Sequence, residues 1–251
     1  MFATASEMKN NFGQYLKHVT DESGEVTITK NNLRVARLVP YVSDIEKYYT
    51  VRENAVQYDY NKKTVSYEEF MEIYSKSNVR MEYLNGEIHI MSSSDVDHQD
   101  ILGNIYMLFK EFFKGKKCRP FMAPFDIHLR KKDIKNPDVL QPDLIVLCDM
   151  ENHVNEKRRY TGTPTLTLEV LSDSTRSRDM VHKLNTFMMS GVSEYWIVDT
   201  DYKRITIYTF VDFKIDKTEF YKLGEVAGSV IFEGLKIDIR SLFEEMAWQT
   251  L

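Results

Sequence analysis

Two acidic residues set inside otherwise apolar strand-like runs constrain this chain more than any other feature. Gln141-Pro-Asp-Leu-Ile-Val-Leu-Cys148 puts Asp143 at the mouth of one run, and Leu166-Thr-Leu-Glu-Val-Leu-Ser172 puts Glu169 in the middle of another. An ionised carboxylate in such surroundings costs several kcal/mol unless something cationic offsets it. Such acids need a reason. If the two strands are neighbours in one sheet, the acids converge on one point. That suits a hard divalent cation taking oxygen ligands, Mg2+ first and Mn2+ as a substitute. The alternative is that one acid caps a loop and the other meets a buried Arg or Lys.

The surrounding pattern mixes strands with helices. Ser66 and Glu69 form a capping box, with Val65 and Phe70 as a hydrophobic staple, so a helix is predicted from about 66 to 75. Residues 79–84 and 87–91 flank Asn85-Gly86, the strongest short hairpin signal. A helix capped by Asp95 or Asp97 follows, with Ile101, Ile105, Leu108, Phe109, Phe112 and Phe113 on its apolar face and Gly115 at its end. Strands are predicted within 118–130, at 144–147, 166–171, 194–199, 204–211 and 213–221, with a helix from about 176 to 189 that Ser172 or Ser174 caps. This order gives a mixed α/β (α+β) sheet domain over residues 64–251.

With 43% apolar and 12% aromatic residues in 251, the chain can fill such a core. No run approaches the ~20 apolar residues that cross a bilayer, and the N-terminus lacks a basic segment followed by an apolar one, so a cytoplasmic protein with no membrane partner is expected. Cys118 and Cys148 lack CxxC spacing and read as buried thiols rather than a zinc site or a disulfide. A net charge of −5 argues against bulk electrostatic coating of nucleic acid. Three basic runs still stand out: Lys110 to Arg119, Arg130 to Lys135, and Lys157 to Arg159. Each is either a rim that grips phosphate or a solvated face.

The first 45 residues form a unit of their own. Thr4 and Glu7 make a capping box, and Met8, Phe12, Tyr15, Leu16 and Val19 fall on one face of an amphipathic helix. After a turn at Asp21 to Gly24, the runs 25–30 and 33–39 form a hairpin about Asn31-Asn32, and Pro40 closes the unit. Residues 46–63 read as linker. The segments Ala5-Ser-Glu-Met-Lys-Asn-Asn-Phe-Gly13, Glu25-Val-Thr-Ile-Thr-Lys30 and Arg34-Val-Ala-Arg-Leu-Val-Pro40 resemble the start of the Phd/YefM antitoxin family. The resemblance implies a module that dimerises and binds operator DNA, with a toxin as a candidate partner; the alternative is a structural remnant that only pairs with another copy.

A second resemblance covers Glu82 to Asp199. Tyr83-Leu-Asn-Gly-Glu87, Ser92 to His98, Gln141-Pro-Asp143, Pro164 to Ser172, Asp179 with Lys183, and Gly191 to Asp199 are similar, in this order, to the Uma-type branch of the PD-(D/E)xK nuclease superfamily. It implies a restriction-endonuclease-like sheet flanked by helices that hydrolyses phosphodiester bonds in DNA. Asp143 and Glu169 would hold Mg2+ with the carbonyl of Val170, and Glu82 would be a further metal acid. The motif's lysine is expected at 171, where Leu stands; the resemblance passes its role to Lys183, otherwise a helical lysine paired with Asp179. His98, at a helix start, could contact phosphate or move a proton, and Asp126 is a weaker candidate. The displaced lysine keeps a second reading open, a non-catalytic DNA-binding regulator using the nuclease fold as scaffold.

Overall fold

A computed structural model describes residues 1–21, 26–31, 33–38, 64–91, 93–172, 176 and 178–244. The expected turn at 22–24, Asn32, Pro40, the linker 46–63 and Ser174 lie outside them. The chain forms two compact units, Met1–Ala55 and Val56–Leu251.

In the first unit, β1 (Phe2–Thr4) runs parallel to β2 (Val26–Lys30), which pairs antiparallel with β3 (Leu33–Leu38). The Thr4 hydroxyl accepts the Glu7 N–H at 3.2 Å and the Glu7 carboxylate accepts the Thr4 N–H at 2.7 Å, the reciprocal capping expected. The single amphipathic helix is corrected to two, α1 (Ala5–Asn10) and α2 (Phe12–Asp21), broken at Asn11, whose φ of −127° is not helical. Asparagine side chains compete for nearby backbone groups, which weakens a helix at Asn10-Asn11. The break also changes the phase of the apolar face. Met8 and Val19 join Ala3 and Val26 in the core, while Phe12 and Leu16 are exposed.

The second unit is a mixed α+β fold. After α3 (Tyr67–Lys76), β4 (Met81–Leu84) and β5 (Glu87–Ile90) make the predicted hairpin. Its two turn residues, Asn85 and Gly86, have φ of 53° and 87°, the left-handed pair that a two-residue turn requires. Helix α4 (Val96–Phe112) follows, then β6 (Arg119–Met122), β7 (Ile127–Leu129), β8 (Asp138–Leu140), β9 (Leu144–Leu147), the short α5 (Met150–His153) and β10 (Leu166–Val170). A π-helical stretch, Arg178–Lys183, leads into α6 (Leu184–Met189). The chain then adds β11 (Glu194–Asp199), β12 (Arg204–Val211), β13 (Lys214–Lys222), β14 (Val226–Gly228), β15 (Lys236–Asp238) and α7 (Ile239–Glu244).

The main sheet has the order β13-β12-β11-β10-β9-β6 and a second sheet the order β5-β4-β8-β7; β14 and β15 pair separately. Within the main sheet only β10 and β11 are parallel; its other pairs are antiparallel. Because side chains alternate along a strand, β9, β10 and β11 supply two cores. Leu144, Val146, Leu166, Leu168, Val170, Trp196 and Val198 pack with Ile101, Ile105 and Phe109 of α4. Ile145, Leu147, Leu171, Tyr195 and Ile197 face the other way, toward Phe187 of α6 and Leu84, Ile127, Leu129 and Leu140 of the second sheet. Glu169 alternates with Leu168 and Val170 and so points into the layer beneath the second sheet.

The cysteine reading is corrected. Cys118 and Cys148 lie directly opposite at the end of the β6–β9 pair and form a disulfide, with Cα atoms 4.0 Å apart. Neighbouring antiparallel strands bring together two cysteines that are 30 residues apart in sequence, a juxtaposition that CxxC spacing does not test. Among the described residues, no helix is long and apolar enough to cross a membrane.

Candidate active site

Glu82, Asp143 and Glu169 come from separate strand segments, and Lys183 and Asp179 from the one π-helical stretch. Asp143 stands just before β9, opposite the end of β10, and its Oδ2 accepts the Val170 N–H at 2.9 Å. Glu82 is the second residue of β4, an inner strand of its sheet, so the outward-facing edge position it might have taken is not what forms. Its Oε1 accepts the Gln141 N–H at 2.9 Å. Lys183 closes the group: its Nζ is 2.7 Å from Glu169 Oε1, 3.0 Å from Glu82 Oε1 and 3.4 Å from Asp179 Oδ1. The side chain is only 1% exposed, so Lys183 is not a solvated helical lysine.

The π-helical stretch makes this possible. In an α-helix of ~3.6 residues per turn, residue i+5 lies well round the cylinder from residue i. The wider π-turn, closed by i to i+5 bonds, stacks them instead. Arg178, Asp179 and Lys183 thereby reach the same cluster. Arg178 Nε is 3.8 Å from Glu82 Oε2 and 3.9 Å from Asp179 Oδ1. Tyr195 of β11 donates its hydroxyl to the Asp179 carbonyl at 3.1 Å and so ties the turn to the sheet. Asp179 and Arg178 were not foreseen as site residues. Asp179 was legible only as the i, i+4 partner of Lys183, and Arg178 carried no signal distinguishing it from surface charge.

His98 sits in the first turn of α4, whose Asp95 cap accepts the His98 N–H at 2.8 Å. Its Nε2 is 3.1 Å from Asp143 Oδ2. Asp126 goes elsewhere: its carboxylate accepts the Tyr74 hydroxyl at 2.8 Å and the Gln141 side-chain amide at 2.8 Å. Of the basic runs, Lys110, Lys114, Lys116, Lys117, Arg119, Lys157, Arg158 and Arg159 are exposed, but Lys131 is buried. It pairs with Asp138 at 2.7 Å, and Asp138 also accepts the Asn85 N–H and the Thr186 hydroxyl, each at 2.9 Å. This network fixes α6, one turn beyond Lys183, to β8.

The electrostatics follow from four acids around two cations. Burial presses Glu169 up, and the charges of Asp143, Asp179 and Glu82 add to it, so that its carboxyl lies well above the usual range despite Lys183. Burial acts the same way on Glu82, but Lys183, Arg178 and the Gln141 N–H outweigh it and hold Glu82 low. Asp143 is also buried and also held low, chiefly by His98 and the Val170 N–H. Burial disfavours the charged Lys183, yet Glu169, Glu82 and Asp179 raise it above its ordinary value. His98 is raised by Asp143 against its own burial.

Whether these residues fit a divalent cation can be judged from the oxygens left over. Among the described residues, Asp143 Oδ1 and Glu169 Oε2 carry no hydrogen bond, and Glu82 Oε2 is buried without one. These are bare carboxylate oxygens in a cluster with excess negative charge, and hard cations take such donors. Among the described residues, no three His, Cys, Asp or Glu side chains form a complete metal-binding group. The candidate set is thus Asp143 and Glu169 supplemented by the Val170 backbone, which also hydrogen-bonds His98.

The family model described as "Putative restriction endonuclease", Uma2, matches residues 67–240. An uncharacterized protein of Synechocystis sp. is 23% identical over 145 residues, spanning 57% of this chain and 73% of its own. The crystal structure of "a putative nuclease belonging to DUF820" from Anabaena variabilis superposes with a TM-score of 0.57 at 17% identity, over 72% of this chain and 98% of that one.

Proposed function

The chain belongs to the Uma2 family of restriction-endonuclease-like proteins, and we propose that residues 64–251, within its second unit, hydrolyse phosphodiester bonds in DNA with a divalent metal. The observation that carries this reading is the pairing of Glu82 and Glu169, from two different strands, on the buried Lys183, with Asp143 held beside Glu169 by the Val170 N–H. Asp143 and Glu169, with the Val170 carbonyl, would hold Mg2+ or Mn2+, and Glu82 offers a further oxygen. Such an ion supplies an acidified water and a Lewis acid for the phosphate. In the overall reaction a water oxygen bonds to phosphorus, the bond to one sugar oxygen breaks, and a proton passes to that leaving oxygen. Lys183 fixes Glu169 and Glu82 relative to each other and offsets their mutual repulsion. His98 keeps Asp143 ionised and oriented, and stands within reach of a proton in transit.

The test is cleavage of supercoiled plasmid with Mg2+ or Mn2+ by the wild type, Asp143→Ala and Glu169→Ala. Nicking by the wild type, lost in both variants and abolished by EDTA, is expected. Nicking that persists in both variants sinks the site assignment. No cleavage of DNA or RNA with either metal favours the regulator that uses the fold as scaffold.

For residues 1–45 we propose a Phd/YefM-like module that pairs with a second copy and brings the nuclease to an operator-like DNA site, joined through the linker 46–63. The helix-plus-hairpin arrangement and the exposed Phe2, Phe12, Leu16 and Val35 on so small a unit support pairing. Light scattering and operator-fragment binding with and without these residues test it. A truncated chain that is still dimeric and binds equally well refutes the role, and co-purification of a small toxin would assign the module a different partner.

A further inference from the structure

Lys183 and Arg178 enter the same acid cluster on different terms. Lys183 is saturated by three carboxylates and sealed at 1% exposure. Arg178 is loosely held. Its approaches to Glu82 and Asp179, 3.8 and 3.9 Å, are too long for hydrogen bonds, its Nε is buried without a partner, and its terminal nitrogen lies 4.0 Å from the weakly accepting sulfur of Met91. Other arginines in this chain are fully engaged. Arg176 grips both oxygens of Asp199 at 2.8 and 3.1 Å, and Arg204 places two nitrogens on Asp199 at 3.1 and 2.9 Å. A buried donor without a partner is costly, and its persistence beside a cluster of acids calls for a ligand. The Arg178 side chain keeps 16% exposure, so a ligand can reach it.

Resting on the phosphodiesterase reading above, we infer that Arg178 is a further catalytic residue, whose guanidinium grips the non-bridging oxygens of the scissile phosphate. The two cations divide the work. Lys183 cannot leave its three acids to meet a substrate, and it positions Glu169 and Glu82. Arg178 has a planar fork of donors that matches two phosphate oxygens and is always charged. Glu82 Oε2 and Asp179 Oδ1, just beyond hydrogen-bonding range, aim the fork by attraction without occupying its donors. Arg178 and Lys183 are the two ends of the π-helical stretch, and both approach Glu82 and Asp179.

The experiment uses the full chain and four proteins: wild type, Arg178→Lys, Arg178→Gln and, as control, Arg176→Gln, which removes an arginine bound to Asp199 two residues away. Two quantities are read, single-turnover cleavage of plasmid with Mn2+ and the salt dependence of binding to a 30-base-pair duplex in EDTA. Arg178→Gln is expected to lose about a hundredfold or more in cleavage rate, the scale of removing one donor from a developing oxyanion. Arg178→Lys, which keeps the charge and loses the fork, should be intermediate. The slope of log affinity against log salt should fall by about 0.9 in Arg178→Gln, the signature of one lost phosphate contact, and stay unchanged in Arg176→Gln. Melting curves separate folding defects from either effect, and Arg178→Lys keeps the test open if Arg178→Gln unfolds. Wild-type rates and slope in both Arg178 variants overturn the inference. A wild type that cleaves with neither Mg2+ nor Mn2+ overturns the phosphodiesterase reading, while the slope still decides whether Arg178 meets phosphate.

Discussion

Replacing Lys183 with Met tests the centre of the structure by removing the one buried cation that three acids share. Two unit charges at the Glu169 distance of 2.7 Å attract by about 6 kcal/mol at an effective dielectric of about 20. Glu82 at 3.0 Å and Asp179 at 3.4 Å add to this. Most of the sum is cancelled by the cost of stripping water from an ammonium sealed in the protein. Breaking a buried pair by removing one partner has a net cost of about 3–5 kcal/mol, because the surviving charges stay buried and uncompensated. Lys183→Met should therefore lose about that much in urea denaturation at pH 7 in EDTA, with an unchanged slope against denaturant. The loss should also depend on pH. Glu169 is already raised, and removing the ammonium raises it further and takes away the largest influence holding Glu82 low. An acid whose folded pKa lies above its unfolded value penalises the fold at high pH, and the penalty fades as pH falls through the folded value. The cost of Lys183→Met should shrink for that reason between neutral pH and the ordinary carboxylate value of about 4.3. Adding Glu169→Gln should recover part of it, since one uncompensated charge is then gone. A loss under about 1 kcal/mol, or one equal at the two pH values, would show that the lysine does not bind these acids as described.

Thr186→Val removes a hydroxyl from buried Asp138; it should cost about 1–3 kcal/mol by chemical denaturation and slow plasmid cleavage, because α6 continues directly from the π-helical stretch that ends at Lys183, and an unchanged rate would separate the two networks. Asp199 is held below the usual carboxylate range, against its burial, by Arg176, Arg204 and the Tyr202 N–H. Its contribution is present above the unfolded value of about 3.9 and lost as pH falls through the lower folded one. Asp199→Asn should thus destabilise by about 1–3 kcal/mol at pH 7, with the difference closing in acid; a pH-independent difference would refute the assignment. The disulfide closes a loop of 30 residues, worth at most about 3.6 kcal/mol in the chain-entropy account, so Cys118→Ser with Cys148→Ser should lower the urea midpoint and steepen the slope, because the opened chain exposes more surface when unfolded. Identical midpoints with and without reductant would refute it.

Local signals carried the elements because their causes are local. Asn85-Gly86 reads as a hairpin because few residues adopt two successive positive φ angles, and Ser66 with Glu69 reads as a helix start because those side chains satisfy the first N–H groups. The boundaries of β9 and of β11, 144–147 and 194–199, were legible because the apolar runs stop where the strands do. What was not legible depends on which strands become neighbours. The pairing of β6 with β9 joins Cys118 to Cys148, and the pairing of β4 with β8 turns Glu82 inward. Lys131 looked like one member of a solvated basic run because its partner, Asp138, belongs to another strand. The π-turn was hidden as well, since the sequence from Arg178 to Lys183 suits an α-helix equally, and only the π geometry lets Arg178 join Lys183.

The same limit explains why acids in apolar strands do not by themselves mark a site. Glu194 opens β11 in a run as apolar as the one around Glu169, and both are buried. Their oxygens differ. Glu194 accepts the Trp196 indole N–H at 2.6 Å on one oxygen and the N–H groups of Val230 and Ile231 on the other. Both oxygens of Asp138 and both of Asp199 are likewise occupied by donors. Among the described residues, Glu82, Asp143 and Glu169 each keep one oxygen without a hydrogen bond; Asp143 meets His98, and Glu82 and Glu169 meet Lys183. A carboxylate kept for structure gains stability from every donor it collects, so selection for stability alone fills both oxygens. Three half-filled carboxylates in one place are costly to the fold and suit an outside charge. That is the ground on which we propose a cation between Asp143 and Glu169 and a phosphate at Arg178.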